Sequence, residues 1–269
     1  MQRSSVGDHH TSYTLGALTM TSLRDGYVDM PPTRLRQSDN KVLGESLQQQ
    51  ATLVGGNLRL SVNAFSLDDR ADVTLIDTGA SNAWHPTMGL LPLALREADI
   101  DVERVRTIAF THTHIDHING LILPNGEDAF PRLSRLLVPK EEIDIFRTAA
   151  RLRRFHERAE ALEAGQRIGA NIEAVAAPGH EVGHTCFRVT GNDETVLIWG
   201  DIVHVPSIQF EHPEITWEFD RAQEEARASR LRVMALAADN KYYVAGAHLD
   251  SPGVGRITRS ATSFRFYPV

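Results

Sequence analysis

The sequence predicts an α/β sandwich, and three observations carry that expectation. Short apolar strands come in groups, with helical segments between the groups. No glycine-rich turn opens a helix in the dinucleotide pattern and no phosphate-loop motif occurs, which disfavours a doubly wound parallel sheet. The 269 residues suffice for a sizeable core without disulfides, and the lone Cys186 has no intrachain partner.

In chain order, the polar start MQRSSVGDHHTS reads as a frayed lead-in over 1–12, and His9 and His10 are set aside. Residues 13–269 read as a single domain. Asn57–Phe65 alternates polar and apolar residues and predicts a strand. Asp72–Ile76 predicts a short strand running into the turn Asp77-Thr78-Gly79. Leu90–Glu97 is helical by composition, and Arg106–Phe110 is a strand ending at a histidine cluster. Leu136–Pro139 predicts a strand, and a broken helix is expected from Lys140 to about Leu162. Strands are then expected at Asn171–Ala176, Thr185–Thr190 and Glu194–Trp199. Asp220–Ala238 predicts a long helix capped by Asp220, with Leu231, Met234, Ala235 and Ala238 on its apolar face. Lys241–Gly246 and Ser263–Pro268 close the set.

Composition narrows the function. Hydrophobic residues make up 42% and charged residues 23%, which excludes a largely disordered chain. With 28 Lys+Arg against 35 Asp+Glu the net charge is −7, the wrong sign for a polyanion-binding surface, so no nucleic-acid partner is expected. No run approaches the ~20 apolar residues of a membrane helix, and no secretory leader is read, so a cytoplasmic protein without a membrane partner is expected.

The decisive segment is Thr111-His112-Thr113-His114-Ile115-Asp116-His117. It follows directly on a strand, so its side chains sit on the loop at that strand's end. In extended backbone His112 and His114 project to the same side, while Asp116 and His117 come from the following turn. Imidazoles and a carboxylate packed this closely, with no lysine or arginine among them, point to a metal site. Three later pieces could complete a two-ion site: Pro178-Gly179-His180-Glu181-Val182-Gly183-His184, Gly200-Asp201 and Gly246-Ala247-His248. Imidazole and carboxylate donors without thiolate suit zinc first, with manganese, iron or cobalt as alternatives.

The H-x-H-x-D-H run resembles the signature of the metallo-β-lactamase fold superfamily. Leu75-Ile76-Asp77-Thr78-Gly79, the P-G-H-x-x-G-H run, Gly200-Asp201 and His248 extend the resemblance over roughly Leu58 to His248. It implies a four-layer αβ/βα sandwich with two divalent metal ions at one edge. It further implies that His112, His114 and His180 hold one ion, that Asp116, His117 and His248 hold the other, and that Asp201 bridges both. Asp77 would orient a ligand, and His184 would lie just outside the ligand set.

A cation pair about 3.5–4 Å apart can clamp a hydroxide that attacks a carbonyl or phosphoryl centre. Asp116 is then the candidate proton shuttle and Asp201 the second catalytic carboxylate. The looser motifs Ser22-Leu23-Arg24-Asp25-Gly26, Val138-Pro139-Lys140-Glu141-Glu142 and Gly200-Asp201-Ile202-Val203-His204 are most similar to methyl parathion hydrolase and related lactonases. That likeness implies a lactone or ester hydrolase acting on a small molecule, with acyl-homoserine or aryl lactones as candidates. Phosphotriester hydrolysis and a glyoxalase-like thioesterase are the alternatives, and a diiron redox or non-catalytic member is the alternative of another class. Pocket walls are expected from Trp84, His85, Leu121, Ile122, Phe210, His212 and Trp217, with His204 lining the site or donating a hydrogen bond. An apolar N-terminal or lid segment would support a homodimer.

Overall fold

In the computed structural model, residues 1–37 and 39–269 are described. Two large sheets face one another. The first runs in the order β1 (Gln2–Val6), β2 (His10–Leu15), β3 (Leu18–Met30), β6 (Asn57–Asp68), β7 (Val73–Ile76), β8 (Val105–Ala109), β9 (Arg135–Pro139) and β10 (Ala159–Leu162), with β5 (Leu53–Val54) added to β6. The second runs β11 (Arg167–Ile168), β12 (Ile172–Ala176), β13 (Thr185–Gly191), β14 (Glu194–Ile198), β16 (Tyr243–Ala245), β17 (Val254–Ser260) and β18 (Ser263–Pro268). A small ribbon pairs β4 (Leu35–Arg36) with β15 (Thr216–Trp217).

Three apolar layers account for this stacking. Tyr13, Met20, Phe65, Ile76 and Leu137 of the first sheet meet Ala174, Phe187, Val196, Ile198 and Tyr243 of the second. The other face of the first sheet packs Leu75, Ile108 and Leu136 on the helix Leu91–Glu97 and on Phe146, Leu152 and Phe155. The other face of the second packs Cys186, Leu197 and Val244 on Val233, Met234 and Ala237 of the helix Gln223–Asp239. Helices therefore flank both sheets, and the architecture is the expected four-layer αβ/βα sandwich.

Strand direction positions everything that follows. β7, β8 and β9 are parallel, and so are β14 and β16. Asp77, the His112–His117 run, Asp201 and His248 all lie just past the C-terminal ends of these strands. The turn from β12 into β13, carrying His180 and His184, opens at the same edge of its sheet.

Four expectations are corrected. Residues 1–12 are not a frayed lead-in: β1 pairs with β2 and β2 with β3, and Ser12 Oγ of β2 lies 2.9 Å from Thr21 Oγ1 of β3. The stretch after Lys140 breaks into a 3-10 turn, the short helix Ile143–Phe146 and a 3-10 segment Ala150–Arg158, and its last residues form β10, parallel to β9. The long helix begins at Gln223, not Asp220, and Ala222 occupies its N-cap. Leu231 is exposed, and Ala226, Ser229, Arg230, Val233, Met234 and Ala237 form the buried face.

A bulge in β3 between Arg24 and Gly26 turns Asp25 inward. Its fully buried carboxylate accepts from the backbone N–H of Ala80 (2.8 Å) and of Leu91 (3.1 Å) and so anchors the Asp77–Ala80 turn. Gly79 has φ 76°, and a Cβ there would sit 2.3 Å from the Asp25 carboxyl carbon. Burial pushes the Asp25 carboxyl up to about 6, against the lowering effect of its backbone donors. A raised folded-state value means that the folded chain holds this proton more tightly than the unfolded chain. The stability is then complete below the unfolded value near 3.8 and is lost as pH rises through about 6. This one group should cost ~3 kcal/mol across that window. Urea unfolding of the parent and of Asp25→Asn at pH 4 and pH 6.5 checks this. The difference between them should shift in favour of the variant at the higher pH, and parallel curves would refute the assignment.

Candidate metal centre

The loop leaving β8 is extended through His114, which has φ −67° and ψ 156°, and then turns into the short helix Ile115–Ile118. This backbone sends His112 and His114 to one side, their ring centroids 4.6 Å apart, and supplies Asp116 and His117 from the first helical turn. Asp201 lies at the centre. Its Oδ2 is 3.0 Å from His248 Nε2, 3.2 Å from His180 Nε2, 3.3 Å from His204 Nε2 and 3.6 Å from His112 Nε2. Its Oδ1 is 3.3 Å from His117 Nε2. Asp116 Oδ2 faces His248 Nε2 at 3.7 Å and His117 Nε2 at 3.8 Å. His114 turns its Nδ1 inward, 3.1 Å from His180 Nε2. Among the described residues the donor atoms gather in four overlapping groups: His112, His114, His180 and Asp201; Asp116, His117 and His248; His180, His204 and Asp220; and Asp201, His204 and His248. The first two groups comprise the seven side chains singled out in the sequence.

An outer ring of acceptors fixes the imidazoles. His117 Nδ1 contacts Asp77 Oδ2 at 2.8 Å, and the same carboxylate accepts from the Thr111 backbone and hydroxyl, both at 2.8 Å. His180 Nδ1 contacts Asp220 Oδ1 at 2.8 Å, and His248 Nδ1 donates to the Ser61 carbonyl at 2.7 Å. His184 binds no cluster atom directly; its Nε2 accepts from the Asp201 backbone N–H at 3.0 Å. Glu142 is buried and bridges two loops. One oxygen accepts from the Thr113 N–H (2.8 Å) and hydroxyl (2.6 Å), the other from the Gly183 N–H (3.1 Å).

Electrostatics follow from this crowding. Burial opposes the charge on Asp201, but His248, His117 and His112 outweigh it and hold the carboxyl well below its usual range. Burial and the neighbouring His117 drive His112 down. Burial would also lower His117 and His180. For His117 the carboxylates of Asp201, Asp77 and Asp116 reverse the sign, and for His180 hydrogen bonds to Asp201 and Asp220 push it up to about 10. Burial takes His204 down to about 4 and His184 to about 3.

The donor set fits a pair of divalent cations. His112 Nε2, His117 Nε2 and Asp201 Oδ1 are buried, converge on the centre and have no hydrogen-bond partner. An unsatisfied buried polar atom costs about 1–3 kcal/mol, so three at one point mark a place built for something else to bind. Nitrogen and carboxylate oxygen without sulfur suit divalent transition metals.

A cavity of ≈ 250 Å³ opens onto this centre. Asp116, Asp201, His204 and His248 form its floor, and Val28, Met30, Leu60, Trp84, Ile115, Trp217 and Phe219 form its walls. Trp217 stacks on His204 at 5.4 Å, and His204 on His248 at 5.1 Å. Trp84, Trp217 and His204 are thus where the sequence reading placed them. Five other expected wall residues are not. Phe210 is buried against Trp199 and Phe266 behind the second sheet. Leu121 and Ile122 belong to the core outside the first sheet, and His85 contacts Thr87. His212 is half-buried beside Glu214, outside the cavity. Sequence reasoning missed Phe219, the wall residues of β3 and β6, and Asp220. The alternation in Val28-Asp29-Met30 was the available signal for the β3 wall.

Fold and site together define a four-layer αβ/βα sandwich protein with a candidate metal centre at one edge of its sheets. The chain belongs to the Metallo-beta-lactamase superfamily, whose family profile matches residues 58–248. A solved structure described as hydrolase AbOPH in the beta lactamase superfamily is 26% identical, covers 99% of each chain and superposes with a TM-score of 0.85. AidC, described as a dizinc quorum-quenching lactonase, is 21% identical over 97% of each chain with a TM-score of 0.85. An atrochrysone carboxyl ACP thioesterase of Aspergillus fumigatus is 29% identical over 161 residues, which is 56% of this chain and 44% of that protein. The chain thus spans less than half the length of this curated relative.

Asp77 has φ 62°, a conformation asparagine also tolerates. Asp77→Asn should therefore keep the turn while replacing one acceptor with an amide donor facing His117 or Thr111. Metal affinity should fall about 10- to 100-fold with the melting temperature little changed in the metal-free protein. Competition with a chromophoric chelator measures the first quantity, and unchanged affinity would remove the orienting role.

Proposed function

We propose that this chain is a dinuclear metal-dependent hydrolase that opens a lactone or cleaves an ester of a small, neutral, apolar substrate. The observation that carries this reading is the cavity: apolar and aromatic walls lead to the carboxylate–imidazole floor, and no lysine or arginine occurs among the described residues that line it. A substrate with its own carboxylate finds no lysine or arginine to pair with along those walls, and an uncharged acyl or ring group finds apolar surface.

His112, His114 and His180 would hold one ion, Asp116, His117 and His248 the other, and Asp201 both. Such ions, zinc first, supply Lewis acidity and make water nucleophilic at neutral pH. The chain's own side chains do the rest. Asp116 faces the cavity between His117 and His248, where its carboxylate can take a proton from the attacking water and return it to the departing alkoxide oxygen. Trp217 and Phe219 flank the reacting centre with apolar surface that excludes bulk water. His204, stacked between Trp217 and His248, presents its Nε2 edge to the same space.

A dizinc lactonase among the structural neighbours supports the lactone reading. A neutral phosphotriester satisfies the same cavity and is the second reading. The thioesterase reading has a partial relative behind it, but no lysine or arginine occurs among the described residues lining the cavity to meet an acidic thioester carrier.

Elemental analysis should find two transition-metal equivalents per chain, and chelation should abolish turnover. In a panel of an acyl-homoserine lactone, an aryl lactone, a phosphotriester, a β-lactam and S-lactoylglutathione, the neutral substrates should be preferred over the two anionic ones. Asp201→Asn should lower kcat by at least about 100-fold because both ion positions share that carboxylate. Turnover that survives complete metal removal, or confined to the anionic substrates, would refute the reading.

A further inference from the structure

Asp220 is fully buried, precedes the long helix without capping it, and divides its two oxygens between two functional parts. Oδ1 meets His180 Nδ1 at 2.8 Å. Oδ2 accepts from the Trp217 backbone N–H at 2.9 Å and from Arg230 Nη2 at 3.3 Å. Arg230, 1% exposed and projecting from the helix Gln223–Asp239, reaches further. Its Nε donates at 2.7 Å to the carbonyl of Ile202, the residue after Asp201, and its Nη1 donates at 2.7 Å to the carbonyl of Ile215, just before Trp217.

A buried carboxylate and a buried guanidinium each carry a desolvation penalty of several kcal/mol, and a purely structural pair is often replaceable by apolar residues. This pair instead sits where three functional segments meet: the His180 loop, the Asp201 loop and the cavity wall. The backbone repeats the pattern, since Arg221 N–H donates to His180 O at 3.0 Å and Ala222 N–H to Gly179 O at 2.9 Å. Gly179, with φ 126°, permits that approach: a Cβ there would lie 2.1 Å from the Ala226 nitrogen.

We propose that Asp220, clamped by Arg230, is a positioning residue that locks the His180 ring and the Trp217 wall of the substrate cavity into one unit, so that cation affinity and substrate fit depend on a single carboxylate. This rests on the reading of His180 as a metal ligand. With Nδ1–H donated to Asp220, only the Nε2 lone pair is left to face the cation, and the ring cannot rotate away. In Asp220→Asn the amide nitrogen must oppose either His180 Nδ1–H or the Trp217 and Arg230 donors, so one of the two links is broken.

The test uses the full chain in its metal-free and zinc-loaded forms. Proton NMR of the unmutated protein should show a slowly exchanging His180 Nδ1 proton, assigned by its loss in His180→Gln. Asp220→Asn should lose this resonance, bind one of two zinc ions about 10- to 100-fold more weakly in chelator competition, and show a raised KM for the preferred neutral substrate. In a His180→Gln background the same substitution should cost no further zinc affinity. A folded Asp220→Asn protein with both zinc affinities and KM unchanged overturns the proposal, as does a His180 without a proton on Nδ1 in the unmutated protein, a reading that needs no variant to fold. Failure of the unmutated protein to bind zinc would instead overturn the hydrolase reading, and the metal-free spectrum would still decide the His180–Asp220 bond.

Discussion

One buried carboxylate, Asp201, stands within 3.0–3.6 Å of the Nε2 atoms of His248, His180, His117, His204 and His112. An ionised group so far from solvent is tolerable only among positive or hydrogen-bonding partners. Every other part of the edge serves to bring those partners there. Parallel β7, β8 and β9 deliver Asp77 and the histidine run, while β14 and β16 deliver Asp201 and His248. Asp77, Asp220 and the Ser61 carbonyl then engage the outward ring nitrogens of His117, His180 and His248, so that Nε2 faces inward in each.

How much of this the sequence discloses depends on whether a signal is local. The His112–His117 run is contiguous, so its chemistry is legible before any fold is known. His180, Asp201 and His248 are legible only with that run in hand, because each is alone in its own segment. Asp220 is illegible for a definite reason: an aspartate just ahead of a helix has the pattern of an N-cap, and only coordinates show its carboxylate turned toward His180 and Arg230. Phe210 misled in the opposite direction, since an aromatic side chain near Asp201 in sequence can face the cavity or the core, and here it packs on Trp199 and Phe266.

Among the strands, those with apolar runs (β7 to β9, β14) were readable within a residue or two, because burial on both faces writes itself into composition. The N-terminal strands were not. β1 is exposed along its length, and β2 hides Ser12 and Thr11 by pairing with β3, a contact outside any local window. Ala159–Leu162 was drawn into the preceding helical pattern because Ala, Glu and Leu favour helix, yet pairing with β9 prevailed.

The candidate ligands are divided between the sheets. His112, His114, Asp116 and His117 leave the first, while His180, Asp201 and His248 leave the second. A cation pair held among them would work as a rivet through both plates of the sandwich at their shared rim. At a free-metal level a hundredfold above the dissociation constant, each ion would add about 2.7 kcal/mol to the folded state. Heat tolerance would then track the metal supply of the surroundings as closely as the proposed catalysis would.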